Sequence, residues 1–347
     1  MISRKAFSRV LPATATVVLA CALAGCSGGS GQGRSGGTGL DAALANVANT
    51  PVTRAQVAYD DTAALVKLSG ASPGTVQGFA VLRGWGASSL MGLAVQLSGD
   101  TGINALNQDY AISAGNPPQT VTLLYGGQSA SLVTSRLGKL GWKQGNGVLV
   151  GPSALGGGSA ASAQYALQMH VVRADGSDVR LGQSGASSGQ LGSPSGSTLA
   201  SDPLISALAG CLGDVVAAQV QVGGQLGGRK PAAVALGVRT PASNAATPHA
   251  VVCVAWSSQS GATQYTADAR KALSSGTSSA TNQPYADLLS HGSVTSIGGS
   301  QNVVQWQADT PRRADQIFQM YLSQDLPALP SCARLPKAAQ RRLIGCP

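Results

Sequence analysis

Three histidines, six cysteines and fourteen acidic residues are the groups in this 347-residue chain that could carry chemistry, and they are thinly spread. His170 falls among apolar neighbours, His249 follows Pro248, and His291 precedes Gly292. No H-x-x-x-H or H-E-x-x-H pattern occurs, so a zinc site built from one helical face is not indicated. A Ser-His-Asp set meets only in space and leaves no fixed spacing. However, no serine stands three residues before a lysine, and the G-x-S-x-G matches at Gly33–Gly37 and Gly185–Gly189 lie in Gly/Ser tracts rather than at a strand-to-helix turn. The same holds for the G-x-G-x-x-G match at Gly31–Gly36. Asp60-Asp61 suits a helix cap ahead of Thr62, and Asp175 and Asp178 flank a turn; calcium would need more oxygens in fixed positions. These residues point to no catalytic set, no metal and no cofactor.

Cys26 is different, because its neighbours specify a reaction. Arg4, Lys5 and Arg9 precede an apolar or small run from Val10 to Ala24, which closes on Leu23-Ala24-Gly25-Cys26. The run is shorter than the roughly 20 apolar residues of a spanning helix and holds Pro12 near its start. A basic start, an apolar middle and a small-residue end form an export signal. The segment resembles the lipobox signal of bacterial lipoproteins. That resemblance implies removal of residues 1–25 and acylation of the Cys26 sulfur, palmitate included, to give a lipid anchor. Arg4-Lys5 is not a twin arginine, which favours the general export route. Residues 26–39 then read as the lipidated cysteine and a flexible Gly/Ser tether, too poor in apolar side chains to pack.

Composition bounds the remainder. Charged residues make up 11% of the chain, against about 25% in ordinary globular proteins, so the solvated face must rest on Ser, Thr, Gln, Asn and Gly. The formal charge of +9 is concentrated at the ends: three cations leave with the signal, and Arg334, Lys337, Arg341 and Arg342 sit near the C-terminus without an acid. The body is close to neutral and has only 4% aromatics, which argues against nucleic-acid binding. Cys21 leaves with the signal. Cys211, Cys253, Cys332 and Cys346 remain, an even number that in an exported protein favours disulfides; three connectivities are open, and proximity favours Cys211–Cys253 and Cys332–Cys346.

The pattern of apolar residues predicts an α+β fold in two similar halves, each a mostly antiparallel sheet with helices packed on one face. The halves are residues 40–182 and 198–347, joined by a Gly/Ser linker at 183–197. In the first, helices are expected over Leu90–Leu97, over Ile103–Tyr110 and after Ser129. Strands are expected over Gln119–Tyr125, Val148–Val150, Ala166–Arg173 and Ser177–Leu181. In the second, Asp202-Pro203 opens a helix, Ser260 begins another that runs to about Leu273, and Thr310-Pro311 a last one. Strands are expected at Val215–Val222, Ala232–Val238, Ala250–Trp256 and Asn302–Ala308. Tyr125-Gly126-Gly127-Gln128-Ser129 echoes Trp256-Ser257-Ser258-Gln259-Ser260, and Ile103–Leu106 echoes Ile205–Leu208, which suggests a degenerate duplication.

Candidate contacts are few. Trp85, between Gly84 and Gly86, suits an exposed platform for a ring-shaped ligand or, more in keeping with tryptophan burial, a core anchor beside tight turns. Asn282 and Tyr285 lie in a long loop of the kind that carries recognition. Lys337, Arg341 and Arg342 fall around apolar residues in Leu335–Pro347, a short amphipathic helix pinned by Cys332–Cys346; it would touch anionic headgroups or form a solvated basic face. In lipobox, tether and composition the chain resembles lipoproteins of high-GC Gram-positive bacteria, which implies anchoring at the outer face of the cell membrane and no particular activity. The expected function is a non-catalytic binding or interaction module of the cell envelope, with an envelope protein or ligand as partner. A carrier of lipid or another hydrophobic ligand is the alternative, and an enzyme acting on wall material the third reading.

Overall fold

The computed structural model describes residues 39–69, 78–152, 159–223 and 230–329. The signal segment, Cys26, Cys332, Cys346, Lys337, Arg341 and Arg342 lie outside these residues. The strands are β1 (Gln56–Asp60), β2 (Tyr110–Ala114), β3 (Val121–Tyr125), β4 (Lys143–Gly145), β5 (Val148–Val150), β6 (Val171–Asp175), β7 (Asp178–Gly182), β8 (Val215–Val222), β9 (Ala233–Arg239), β10 (His249–Ala255), β11 (Ser290–Gly298) and β12 (Val303–Asp309). The helices are α1 (Leu40–Ala45), α2 (Pro51–Ala55), α3 (Thr62–Ser69), α4 (Ser88–Met91), α5 (Ala94–Thr101), α6 (Ala130–Lys139), α7 (Ala160–Gln168), α8 (Pro203–Leu212), α9 (Gln259–Ser275), α10 (Tyr285–Leu288) and α11 (Gln316–Leu322). Among the described residues none is long and apolar enough to cross a membrane.

The fold is α+β, and all twelve strands form one antiparallel sheet in the order β11-β12-β10-β9-β8-β1-β2-β3-β7-β6-β5-β4. Separate sheets for the two halves were expected. Instead β1 pairs with β8 in the middle, from Gln56 opposite Gln221 to Asp60 opposite Ala217. Residues 183–197 are likewise no free linker. Leu191 is fully buried against Val148 and Val171, so this polar stretch is a packed strap over the sheet.

Helices cover both faces rather than one. Residues paired across adjacent strands share a face, so Asp60, Ala217 and Ala111 lie on one side. That side carries two core clusters, built by α3 and α9–α11 over β8–β12 and by α4–α7 over β2–β7. On the other side α1 and α8 pack onto Val57, Tyr59, Val220, Ala235 and Cys253. The central strands dictate this arrangement. β2, β8, β9 and β10 are buried along nearly their whole length, in keeping with their largely apolar sequences, and so need cover on both sides.

Local chemistry explains most of the helix starts. Asp202 Oδ1 accepts the backbone N–H groups of Leu204 (3.0 Å) and Ile205 (3.1 Å) while Pro203 takes the first position of α8. Ser129 and Ser258 cap α6 and α9, and Asp61 Oδ1 accepts from Ala64 N–H at 2.8 Å to start α3. Its neighbour Asp60 does something else. Fully buried, it accepts from Gly86 N–H (2.7 Å), Gly84 N–H (3.3 Å) and the Thr62 hydroxyl (2.7 Å). These bonds dock the 3-10 turn Trp85–Ala87 onto the sheet so closely that a Cβ at Gly86 would lie 2.2 Å from the Ala111 carbonyl oxygen.

Several expected elements are replaced. Ile103–Asp109 forms turns rather than a helix, and Ala166–Gln168 ends α7 instead of opening a strand. The helix expected from Thr310-Pro311 begins only at Gln316, and Leu322 at its end is 62% exposed.

Candidate functional site

β12 separates two environments. Val304, Trp306 and Ala308 are buried under α9, whereas Gln305, Gln307 and Asp309, pointing the other way, are only half-buried. The alternation follows from the twofold repeat of a strand. α8 covers the second face over β9 and β10 and reaches β12 at Gln305, whose Nε2 donates to the Cys211 carbonyl; Gln307 and Asp309, the rest of this polar row, lie beyond that helix.

At one end of that row a carboxylate holds two imidazoles. His249 and Ser290 stand opposite Asp309 in the ladders of β10 and β11. Asp309 Oδ1 lies 2.8 Å from His249 Nδ1, and Oδ2 lies 2.8 Å from His291 Nδ1. His291 reaches this position through an irregularity between Ser290 and Ser293, where its own φ is +54°, a left-handed conformation uncommon for a residue with a side chain. Burial alone would raise the Asp309 carboxyl; the hydrogen bonds and charges of His249 and His291 outweigh it and hold the group below the usual carboxylate range. His249 Nε2 lies 3.4 Å from Gln307 Oε1, while the His291 ring is 82% exposed.

Chemically, this is a pair of oriented imidazoles around an ionised acid. It supplies the base-and-orienter part of a hydrolytic site, but among the described residues no serine or cysteine donates to either ring, so no nucleophile completes it. Nor does any group of three His, Cys, Asp or Glu side chains among these residues converge as metal ligands. The arrangement does offer hydrogen-bond donors and acceptors on a strand surface.

Beside this row runs a groove of about 470 Å3 between α8 and the turn joining β11 to β12. Pro203 and Ala207 form its helical wall, Ile297 its opposite lip, and Val303 and Gln305 its floor. The Cys211–Cys253 disulfide, with Cα atoms 6.2 Å apart, ties that wall to β10, and Gln305 Nε2 donates to the Cys211 carbonyl at 2.7 Å. Arg239, at the end of β9, is the single charged lining residue.

The residues singled out from the sequence are not assembled here. Trp85 is half-buried with its ring centroid 4.4 Å from that of Phe318, a core contact rather than an exposed platform. Tyr285 is buried and its hydroxyl donates to the Asp325 carbonyl at 3.0 Å, so it anchors its loop from inside. Asn282 is exposed in a left-handed turn at φ +55°, with its N–H on the Ser278 carbonyl. His170 stands just before β6 and takes no part in the cluster. The residues missed were His249, His291 and Asp309; no spacing links them, and only recognition of β11 as a strand could have placed His291 beside Asp309. Searches of protein families, curated proteins and solved structures find no match to this chain, and the reading of the site rests on its own geometry.

Proposed function

We propose that this chain is an exported lipoprotein, anchored at the outer face of the cell membrane through Cys26, whose folded part is a non-catalytic binding module of the envelope. Leu23-Ala24-Gly25-Cys26 supports the anchor, and the Cys211–Cys253 disulfide fits an oxidising compartment.

The reading of the folded part includes a degenerate duplication, which makes the open face stand out. One half orders its strands β1-β2-β3-β7-β6, the other β8-β9-β10-β12-β11, running outward in opposite directions from the β1–β8 pair. In each, a helix on the same sheet face precedes the first strand and another follows the third. Leu40-Asp41-Ala42-Ala43-Leu44-Ala45 of α1 and Leu204-Ile205-Ser206-Ala207-Leu208-Ala209 of α8 share the pattern L-x-x-A-L-A. In the first half the strap at 183–197 covers the outer strands, with Leu191 on Val148 and Val171, and Arg180 donates to the Asn46 carbonyl at 2.8 Å. The corresponding face of β12 and β11 has no such cover among the described residues. That difference is the observation that carries the binding reading: a surface strapped over in one half is polar and without such a strap in the other, among the described residues.

A photo-crosslinking residue at Gln307 tests it in intact cells. A discrete light-dependent adduct is expected there and not at Lys139, an exposed position on α6. Equal yields from the two positions would contradict the assignment. The groove beside α8 supports the second reading, a carrier of a small apolar ligand; its volume falls in the range of about 300–1,000 Å3 usual for ligand sites.

A further inference from the structure

The groove has a polarity along its length. Pro203, Ala207, Ile297 and Val303 give it an apolar stretch from the N-terminal end of α8, with Ile297 51% exposed on the lip. Arg239 lies towards the other end, where α8 stops, and its guanidinium packs over the backbone of Gly213, the cap of that helix. Gly213 has φ +68°, and a side chain there would collide with Arg239 Nη1. No hydrogen bond or ion pair engages Arg239 among the described residues, and no aspartate lines the groove. All fourteen acids of the chain are aspartates. The nearest acid by register is Asp214, which follows Gly213 and whose carbonyl accepts from Thr240 N–H at 3.1 Å, but it forms no ion pair with Arg239; Asp309, two strands away, already holds His249 and His291.

An unpaired cation at one end of a groove that also has an apolar stretch selects a ligand with the complementary division. A guanidinium presents two parallel N–H groups that match a carboxylate as a fork. A single positive charge balances one negative charge; a doubly charged phosphate would bring an excess anion against apolar walls, which is costly. We propose that this groove binds an aliphatic monocarboxylate, its headgroup on Arg239 and its chain along Pro203, Ala207, Ile297 and Val303. The assignment rests on reading this sheet face as the binding surface, and it names the ligand chemistry of the groove at its edge.

Calorimetric titration of the purified full-length chain with decanoate, and with decanol as its neutral counterpart, tests the proposal. Decanoate should bind, and decanol more weakly. Arg239→Gln should weaken decanoate on the order of tenfold or more while leaving decanol unchanged, since a hydrogen-bonded charge is what is removed. Gly210 is exposed on α8, lines the groove and has open space around its missing Cβ. Gly210→Phe should therefore fill the groove without disturbing the fold, checked by an unchanged melting profile, and abolish binding of both ligands. Absence of decanoate binding, decanol binding as tight as decanoate, or insensitivity to either substitution overturns the proposal. A Gln307 adduct alongside absent decanoate binding would reject the ligand class and keep the binding surface. Arg239-dependent decanoate binding without a Gln307 adduct would do the reverse.

Discussion

Replacing both Cys211 and Cys253 by alanine is expected to lower the stability of the folded chain by about 4 kcal/mol, the chain-entropy figure for a loop spanning 42 residues. The bond joins α8 to β10, and both cysteines are buried, so the substituted chain also loses packing where α8 meets the sheet. The structural consequence is specific. α8 forms the wall of the groove, and the Cys211 carbonyl receives the Gln305 amide, so loosening α8 disturbs the site along with the core. Urea unfolding of the oxidised protein and of the double alanine variant, followed by circular dichroism, measures the loss. A difference below about 1 kcal/mol would show that the bond contributes far less than loop closure predicts.

The second large effect belongs to Asp60 and carries a pH signature. Burial pushes its carboxyl up to about 6, against the lowering influence of the bonds from Thr62, Gly86 and Gly84. Between about pH 4 and about pH 6 the native state therefore binds more protons at this group than the unfolded chain does. This contribution to stability is fully present below about pH 4 and declines as pH rises through about 6. The full change is on the order of 3 kcal/mol, from about two pK units. Asp60→Ala leaves the Gly84 and Gly86 N–H groups without an acceptor in the interior, at a cost on the order of 4 kcal/mol near pH 4.5. The penalty should shrink as the pH is raised to 7, because the buried charge it removes is then unfavourable. Paired urea titrations of the two proteins across this range check the sign; a penalty that grows with pH would contradict the assignment.

Some of this architecture is legible in the sequence, for reasons that can be named. α8, β8, β9, β10 and α9 emerge from Asp202-Pro203, from three predominantly apolar runs and from the serine-rich start at 258–260, all strong local signals that tertiary packing reinforces. β2 and β11 fail in opposite ways. Tyr110–Ala114 is buried on both faces and so lacks the alternation that separates a strand from a helix. Ser290–Gly298 is an exposed edge strand with serine, histidine and glycine where apolar residues would mark it, and it reads as a loop.

The single sheet was equally hidden, because long-range pairing of β1 with β8 leaves no local trace. The echo expected between Ile103–Leu106 and Ile205–Leu208 does not join two helices, because Ile103–Leu106 is a turn; the helix that packs on the same sheet face as α8 is Leu40–Ala45. The His249–Asp309–His291 cluster depends on a strand register and a bulge, and neither is written in residue spacing.

Cys26 remains the residue on which the whole account of location turns. The most direct measurement is metabolic labelling of a bacterial host with radioactive palmitate, followed by membrane fractionation of the chain and its Cys26→Ser variant. The account predicts label and membrane association for the first, and an unlabelled chain released from the membrane fraction for the second. A Cys26→Ser chain that is processed, labelled and retained to the same extent would contradict it.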